Sequence, residues 1–431
     1  MVFVLSSDGQ PLDPCHEARA RKLLKTGRAA VHRTYPFTIR LNDRTRAESV
    51  VHAHRLKTDP GSKTTGLAIV QEQTGRVVWA GELTHRSQQI REALLARRAV
   101  RRSRRQHKTR YRKARFLNRR RKQGWLPPSL QHRVLTTLTW ARRLIRLCPI
   151  AALSMELVRF DMQLMENAEI GGVEYQQGRL AGYEVREYVL EKWGRKCAYC
   201  GKQNVPLQLE HLVPRAGGGS NRVSNLTLAC EDCNVRKGNQ TAVEYGFAHL
   251  MAQAKAPLRD AAAINATRWA LWRALAALSL PLEVGTGGRT KFNRTRLGWE
   301  KSHWRDAACV GSSTPAQLAS AISSVLLIAS KGHGRRQMCR TNKYGFPMRH
   351  VPRQKVHFGF RTGDLVKVVV PKGKYAGIYV GRVAIRSSGS FNIATTRGLV
   401  QGISYRHCRL VQRDDGYAYT TRKEGRAETA A

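Results

Sequence analysis

Two Cys-x-x-Cys pairs constrain the possible folds of this chain more than any other feature of its sequence. The pairs consist of Cys197, Cys200, Cys230 and Cys233. Four thiolates in two such knuckles are typical of structural zinc, because tetrahedral Zn²⁺ accepts four soft ligands and each pair fits one tight turn. The sequence therefore predicts a zinc-bound module in this part of the chain.

Other residues in this segment would have no use in a zinc ribbon that only folds a loop. A Glu210-His211 dipeptide lies between the pairs, and Asn225 and Asn234 follow it. A histidine can activate a water molecule while a carboxylate and an amide oxygen hold a hard divalent metal ion. The segment resembles an HNH nuclease module of the ββα-metal fold. His211 matches its general base, Glu210 and Asn234 its metal ligands, and Asn225 its middle asparagine; the family often has aspartate in place of Glu210.

The charge balance of the chain predicts a polyanionic partner. Over 431 residues, 76 Lys and Arg face 30 Asp and Glu, so the formal net charge is +46. Such an excess repels itself unless nucleic acid neutralises it. A basic protein of the membrane surface is the alternative, but no run of about eighteen apolar residues occurs and the basic segment has no apolar face. The length allows about three domains.

The remaining cysteines and the N-terminus bear on the compartment. The unpaired set is Cys15, Cys148, Cys309, Cys339 and Cys408. Because they are scattered and odd in number, we expect reduced thiols in the cytosol and no disulfide framework. The first apolar run is too short for a signal peptide.

The first 47 residues read as a small module. Residues 2–5 predict a strand, residues 6–14 a loop, residues 16–26 a basic helix ended by Gly27, and residues 37–41 a second strand. An ordinary βαβ decoration is the simplest interpretation.

A three-stranded meander is predicted over residues 49–83, because β-branched runs alternate there with Gly and Pro-Gly turns. Asp59 ends the first strand and begins an Asp-x-Gly-x₄-Gly pattern with Gly61 and Gly66. A turn is the plain interpretation. The pattern also resembles RuvC motif I, in which a strand-end carboxylate binds a metal ion.

Residues 86–122 hold fourteen Arg and three Lys against one acid, Glu92. No Gly or Pro interrupts them before Gly124, so a helix is predicted. Like charges one turn apart oppose each other, so this helix is weak alone. A solvated helix or a disordered tail is the alternative to a helix held by phosphates.

A further carboxylate position follows along the chain. A helix over residues 130–147 precedes a strand that ends at Glu156, which on its own is a surface acid. A linker is expected over residues 163–178, and a helix over residues 180–193 leads into the zinc knuckle.

Beyond the zinc segment, residues 258–279 predict an apolar helix and residues 281–298 a strand with a loose basic turn. The next helix carries His303 and Asp306, which at i and i+3 share one face. Asp59, Glu156, His303 and Asp306 together supply oxygen and imidazole ligands for two divalent ions.

The last part, residues 313–431, changes character. We expect a helix at about residues 315–329 and then a small SH3-like β-barrel of short strands joined by glycine turns. Its basic and aromatic residues suit nucleic acid.

Taken together, these motifs resemble the IscB family of transposon-encoded nucleases, related to CRISPR type II effectors, over nearly the whole chain. Glu156 matches RuvC motif II, the His303/Asp306 pair matches motif III, and residues 11–14 read Pro-Leu-Asp-Pro where the family has Pro-Leu-Met-Pro. The resemblance implies an α/β multidomain fold with a split RNase H-like (RuvC) core. Its parts are an N-terminal domain (1–47), RuvC segments (48–85, 125–162 and 251–312), a bridge helix (86–124), an HNH insert (163–250) and a domain that reads a target-adjacent motif (313–431).

The same resemblance implies an RNA-guided endonuclease that makes a double-strand break, acting as a monomeric protein with an omega-type guide RNA in the prokaryotic cytoplasm, near the nucleoid. HNH would cut the RNA-paired strand and RuvC the displaced strand, with Mg²⁺ or Mn²⁺ at both sites and structural Zn²⁺. The arginines expected to hold the RNA are Arg97, Arg98, Arg101, Arg102, Arg104, Arg105, Arg112 and Arg115. The alternatives are a nuclease-inactive RNA-guided regulator and an HNH endonuclease that reads DNA without RNA.

Overall fold

The computed structural model describes residues 1–106, 125–157, 183–203, 205–255, 259–320, 322–332, 339–351 and 353–424. These residues form a mixed α/β chain with several distinct hydrophobic cores. The expected linker over residues 163–178 and the second half of the Arg-rich segment lie outside the described residues. No helix within these ranges is long and apolar enough to span a membrane.

The helices and strands are numbered in chain order. The helices are α1 (Glu17–Lys25), α2 (Ser87–Gln106), α3 (Pro128–Leu147), α4 (Tyr183–Lys192), α5 (Glu231–Lys237), α6 (His249–Lys255), α7 (Arg259–Ala276), α8 (Gly287–Arg296) and α9 (His303–Ala308). The strands up to the end of the insert are β1 (Val2–Leu5), β2 (Pro11–Cys15), β3 (Ala29–Arg33), β4 (Thr38–Leu41), β5 (His54–Asp59), β6 (Thr64–Gln71), β7 (Arg76–Thr84), β8 (Ile150–Glu156), β9 (Leu207–His211) and β10 (Leu226–Cys230). The later strands are β11 (Leu282–Gly285), β12 (Ala319–Ser320), β13 (Ser324–Ser330), β14 (Cys339–Thr341), β15 (Pro347–His350), β16 (Val356–His357), β17 (Phe360–Arg361), β18 (Leu365–Val370), β19 (Gly377–Ala384), β20 (Ser390–Thr395), β21 (Gly398–Ser404), β22 (Cys408–Gln412) and β23 (Tyr417–Lys423).

The N-terminal module is a four-stranded sheet of order β2-β1-β4-β3 with α1 beside it. The predicted helix is confirmed: the Nδ1 atom of His16 accepts a hydrogen bond from the backbone N–H of Ala18, and Gly27 follows the helix with a φ of +70°. The loop expected over residues 6–14 is wrong in its second half, which forms β2. Strand β2 lies at the sheet edge, where proline is tolerated because no ladder donor is needed on the open side.

The central sheet has the order β11-β8-β5-β6-β7-β13-β23, with the short β12 beside β7. The predicted meander forms its middle as the antiparallel strands β5, β6 and β7. Strand β8 pairs parallel with β5, and β11 pairs parallel with β8. The predicted helix α3 packs on one face of this sheet through the fully buried Trp140 and Leu144, together with α7.

Two expectations for this region are wrong. Residues 315–329 were expected to form a helix, but the apolar run of β13 is a strand between β7 and β23. Short apolar runs fit a buried strand and a buried helix equally well, and only the partners on both sides decide. The expected loose turn after β11 is instead α8, which begins where the side chain of Thr286 accepts a hydrogen bond from the N–H of Arg289.

The insert between β8 and α7 has a core of its own. Strands β9 and β10 form an antiparallel hairpin, and α4, α5 and α6 pack around it. Trp193 follows α4 and donates its indole N–H to the carbonyl of Leu226, at the start of β10. The hairpin and α5 together form a ββα unit.

The C-terminal region contains five antiparallel strands in the order β21-β20-β19-β18-β22, with a core that includes Val366, Phe391 and Ile393. Closure of this sheet into an SH3-like barrel stays a prediction. The expected boundary at residue 313 cuts across the fold, because β13 and β23 belong to the central sheet and enclose the five-stranded sheet in sequence. This sheet is thus inserted between two strands of the core.

Candidate active sites

Asp59 and Glu156 lie at the same edge of the central sheet. Each is the last residue of its strand, β5 or β8. The two strands are parallel neighbours, and Thr58 lies opposite Met155. Because the carboxyl ends of adjacent parallel strands lie at the same edge of a sheet, Asp59 and Glu156 lie next to each other there.

The glycines that follow Asp59 are required by close backbone approaches. A Cβ on Gly61 would lie 2.1 Å from the carbonyl oxygen of Thr64, inside the turn. A Cβ on Gly66 would lie 1.8 Å from the carbonyl oxygen of His303, the first residue of α9. Since Gly66 pairs with Asp59 across the β5–β6 ladder, the second glycine is what allows α9 to sit beside Asp59.

Helix α9 brings the third acidic residue to this edge. Asp306 is half-buried and pairs with Arg294 of α8 at 2.6 Å, whereas His303 is exposed. Burial raises the pKa of Asp59 well above its usual range, and the charges of Glu156 and Asp306 raise it further. Burial also raises the pKa of Asp306, against the opposing effect of Arg294.

This acidic edge fits a divalent cation in its chemistry. Three carboxylates that share a desolvated position repel one another, and a hard cation with oxygen ligands removes that repulsion. In the described part of the chain, however, only the four zinc-type cysteines bring three or more ligand atoms within 4.8 Å of one another. The acidic residues are spaced more widely than this, and Asp306 pairs with Arg294.

The four cysteines of the insert fit a tetrahedral metal ion. Their sulfur atoms all lie within 4.8 Å of one another, and those of Cys200 and Cys230 are 3.7 Å apart. None of the described cysteines forms a disulfide, and the reduced state of the thiols stays a prediction. Four thiolates at this spacing are the ligand set of structural Zn²⁺.

Glu210 is buried between two partners that the sequence analysis did not identify. Its Oε1 atom lies 2.6 Å from the Nζ atom of the buried Lys237, and its Oε2 atom accepts a 2.6 Å hydrogen bond from the hydroxyl of Tyr199. Tyr199 lies between Cys197 and Cys200 in the sequence, and Lys237 follows Asn234 by one helical turn. Their spacing from the predicted site residues could therefore have identified both as neighbours of the site. Each carboxylate oxygen retains a second lone pair for a metal ion.

The other predicted residues of the insert have separate partners. The Nε2 atom of His211 lies 2.7 Å from Oδ1 of Asn221, and Asn234 donates its amide to Gln208 at 2.6 Å. The buried Asn225 bonds the backbone of Val213 in both directions. Asn225 therefore holds the loop after His211. In the described part of the chain, Asn234 bonds Gln208 and does not contact Glu210, whose partners are Lys237 and Tyr199.

Helix α2 presents a row of guanidinium groups. Arg97, Arg98, Arg101, Arg102 and Arg105 are exposed. Arg112 and Arg115 lie outside the described residues.

The hairpin of β14 and β15 packs on α2, a contact that the sequence did not predict. A Cβ on Gly345 would lie 2.4 Å from Val100, and the guanidinium of Arg104 lies 5.9 Å from the ring centre of Phe346. The hairpin of β14 and β15 therefore lies against the helix that carries the exposed arginines.

Two families match this chain. Residues 2–178 match a family described as RRXRR protein, and Arg101–Arg105 reads Arg-Arg-Ser-Arg-Arg. Residues 197–247 match a family described as HNH endonuclease, and this range contains the four cysteines and the hairpin of β9 and β10.

Cas9 nucleases are among the proteins that this chain resembles. The CRISPR-associated endonuclease Cas9 of Actinomyces naeslundii is 48% identical over 58 residues, which is 13% of this chain and 5% of that protein. Among solved structures, Streptococcus thermophilus Cas9 in complex with the GGAA PAM is 12% identical, with a TM-score of 0.24, 60% of this chain and 32% of that chain covered. The type II-C Cas9 from Actinomyces naeslundii is 20% identical, with a TM-score of 0.16, 47% and 32% covered. The chain thus spans a small part of the curated relative and about a third of these solved chains.

Proposed function

We propose that the protein is an RNA-guided DNA endonuclease with two nuclease sites, of the IscB type. The observation that carries the proposal is the convergence of Asp59, Glu156 and Asp306 at one edge of a sheet that is interrupted by an HNH domain. A net charge of +46 and the exposed arginines of α2 support a nucleic-acid partner. Base pairing with the RNA would select the target, as in related effectors.

In the HNH domain, we assign the general base to His211. An amide oxygen only accepts hydrogen bonds, so the contact with Oδ1 of Asn221 places the ring proton on Nε2. The Nδ1 atom then remains able to take a proton from the attacking water. Glu210 and Asn234 would hold Mg²⁺, while the zinc-bound cysteines keep the hairpin folded.

At the sheet edge, Asp59, Glu156, His303 and Asp306 would hold Mg²⁺ or Mn²⁺. Bound there, such ions stabilise the charge on the attacking and leaving oxygens of a phosphodiester. The protein's own part is to align these ligands: β5 and β8 set the two strand-end carboxylates, and α9 adds the third. The five-stranded C-terminal sheet would engage a short DNA motif beside the target.

Strand-labelled cleavage by the protein with co-expressed RNA tests this proposal. Asp59→Ala is expected to nick only the RNA-paired strand and His211→Ala only the displaced strand, because each site has its own ligands. The double variant is expected to bind without cutting. Loss of both cuts in either single variant, with DNA binding retained, contradicts two independent sites.

The same assay separates the two alternatives. RNA-dependent binding without any cutting by the unmodified protein indicates a nuclease-inactive regulator. Equal cutting with and without RNA indicates an HNH endonuclease that reads DNA directly.

A further inference from the structure

Helix α9 carries two of the four residues assigned to the acidic site, yet it has only six residues. A helix this short is not stable through its own hydrogen bonds alone. Its neighbours must therefore fix the position of His303 and Asp306. Gly66 fixes the beginning of the helix by allowing the backbone contact with His303.

The segment directly after α9, residues 309–314, is held by two buried side chains. Lys57 donates from Nζ to the carbonyl oxygen of Val310 at 2.8 Å and to Oγ1 of Thr314 at 2.9 Å. Asn293 of α8 donates to the carbonyl oxygens of Cys309 and Gly311, both at 2.9 Å. Lys57 and Asn293 are each 1% exposed, so water cannot replace them.

Lys57 lies on strand β5, whereas Asn293 lies on helix α8. Lys57 precedes Asp59 by two residues, and residues at i and i+2 of a strand lie on the same face. Strand β5 thus carries Asp59, one of the proposed metal ligands, and also Lys57. Lys57 holds the segment after α9, the helix that carries His303 and Asp306. Lys57 therefore connects the strand that ends in Asp59 with the segment directly after the helix that carries Asp306.

We propose that Lys57 is a positioning residue of the acidic site, which fixes α9 relative to Asp59 so that their carboxylates can share a divalent ion. The inference rests on the proposed nuclease function. It concerns the placement of ligands and not contact with the substrate.

The test is Lys57→Met in the full protein–RNA complex, which removes the ammonium group and keeps most of the side-chain length. We expect the Mn²⁺ concentration for half-maximal nicking of the displaced strand to rise about 10-fold or more, as for other residues that orient metal ligands. Mn²⁺ binding measured by electron paramagnetic resonance is expected to weaken in parallel, with Asp59→Ala as the reference for a lost site. Nicking of the paired strand is the internal control and is expected not to change, and Lys25→Met on the exposed face of α1 is the matched lysine control.

If Lys57→Met does not fold, Thr314→Val provides a second test. It removes one of the two acceptors of Lys57 at constant side-chain shape, and a smaller shift in the same direction is expected. If a folded variant binds Mn²⁺ and nicks the displaced strand as the unmodified protein does, the role of Lys57 is refuted. If Asp59→Ala itself leaves displaced-strand nicking intact, the proposed nuclease site is refuted. This result differs from one that refutes only the positioning role of Lys57.

Discussion

At the scale of single residues, Tyr199 connects the zinc knuckle to Glu210. Burial and the hydrogen bond to Glu210 raise the pKa of Tyr199, so its hydroxyl stays protonated at neutral pH and donates to Glu210. We expect Tyr199→Phe to lower paired-strand cutting by about 10-fold, because a metal ligand that loses an orienting partner binds its ion less well. The rate of paired-strand cutting as a function of Mg²⁺ concentration measures this effect.

Tyr245→Phe is the matched control for Tyr199. The two rings pack edge to face with their centres 5.4 Å apart. Among the described residues, the hydroxyl that donates to Glu210 is that of Tyr199 and not that of Tyr245. Zinc content is expected to be unchanged in both variants. Loss of zinc from Tyr199→Phe would instead mean that the ring only supports the knuckle.

Residue chemistry was predictable from the sequence where the partners are close along the chain. The four cysteines and the Asp59–Gly66 pattern belong to short motifs, and the structure brings both sets together as their spacing indicates. Lys57 could not be predicted in this way, because its acceptors lie more than 250 residues later. A lysine in a β-rich run is normally exposed, and only the folded chain shows it buried.

At the scale of elements, α2 is the part whose role depends most on charge. Replacing Arg101, Arg102 and Arg105 by alanine is expected to weaken RNA binding and to flatten its dependence on salt. Each lost phosphate contact should lower the slope of log K against log salt by roughly 0.7–0.9. Filter-binding or fluorescence titrations over a range of salt concentrations measure the slope.

A second exposed helix supplies the control for α2. Arg19, Arg21 and Lys25 of α1 are also exposed, and alanine at these three positions removes the same formal charge. Arg104 is left in place because it packs against the hairpin of β14 and β15. Equal slopes for the two triple variants would show that RNA binding depends on overall charge and not on α2.

Helices and strands were predictable where a local sequence pattern determines them. They were not predictable where pairing with strands distant in the sequence determines them. The meander of β5, β6 and β7 and the helices α1 and α3 follow from periodicity and capping residues. Strand β13 was mistaken for a helix because its partners are β7, more than 200 residues earlier, and β23, about 90 residues later. The return of β23 to the core has no local signal at all.

At the scale of the whole molecule, β23 connects the C-terminal end of the described chain to the central sheet. Arg422 forms a two-pronged ion pair with Glu82 at 3.0 and 3.1 Å, and Glu424 pairs with Arg305 of α9 at 2.8 Å. A truncation at residue 331 therefore removes part of the core together with the five-stranded sheet. Such a truncation is expected to lose displaced-strand cutting on every DNA substrate.

Excision of residues 365–412 removes the five-stranded sheet and leaves β23 in place. Leu365 and Gln412 are paired across the β18–β22 ladder, so a short glycine-serine linker can join the ends. We expect this variant to bind RNA but not to cut intact duplex, because the duplex must first be engaged at its adjacent motif before base pairing begins. DNA that is already unpaired across the target should restore part of both cuts, since the opening step is then supplied. Melting temperature and RNA affinity serve as controls: if RNA binding falls as far as cutting does and unpaired DNA gives no rescue, the sheet holds RNA or the fold and does not read DNA.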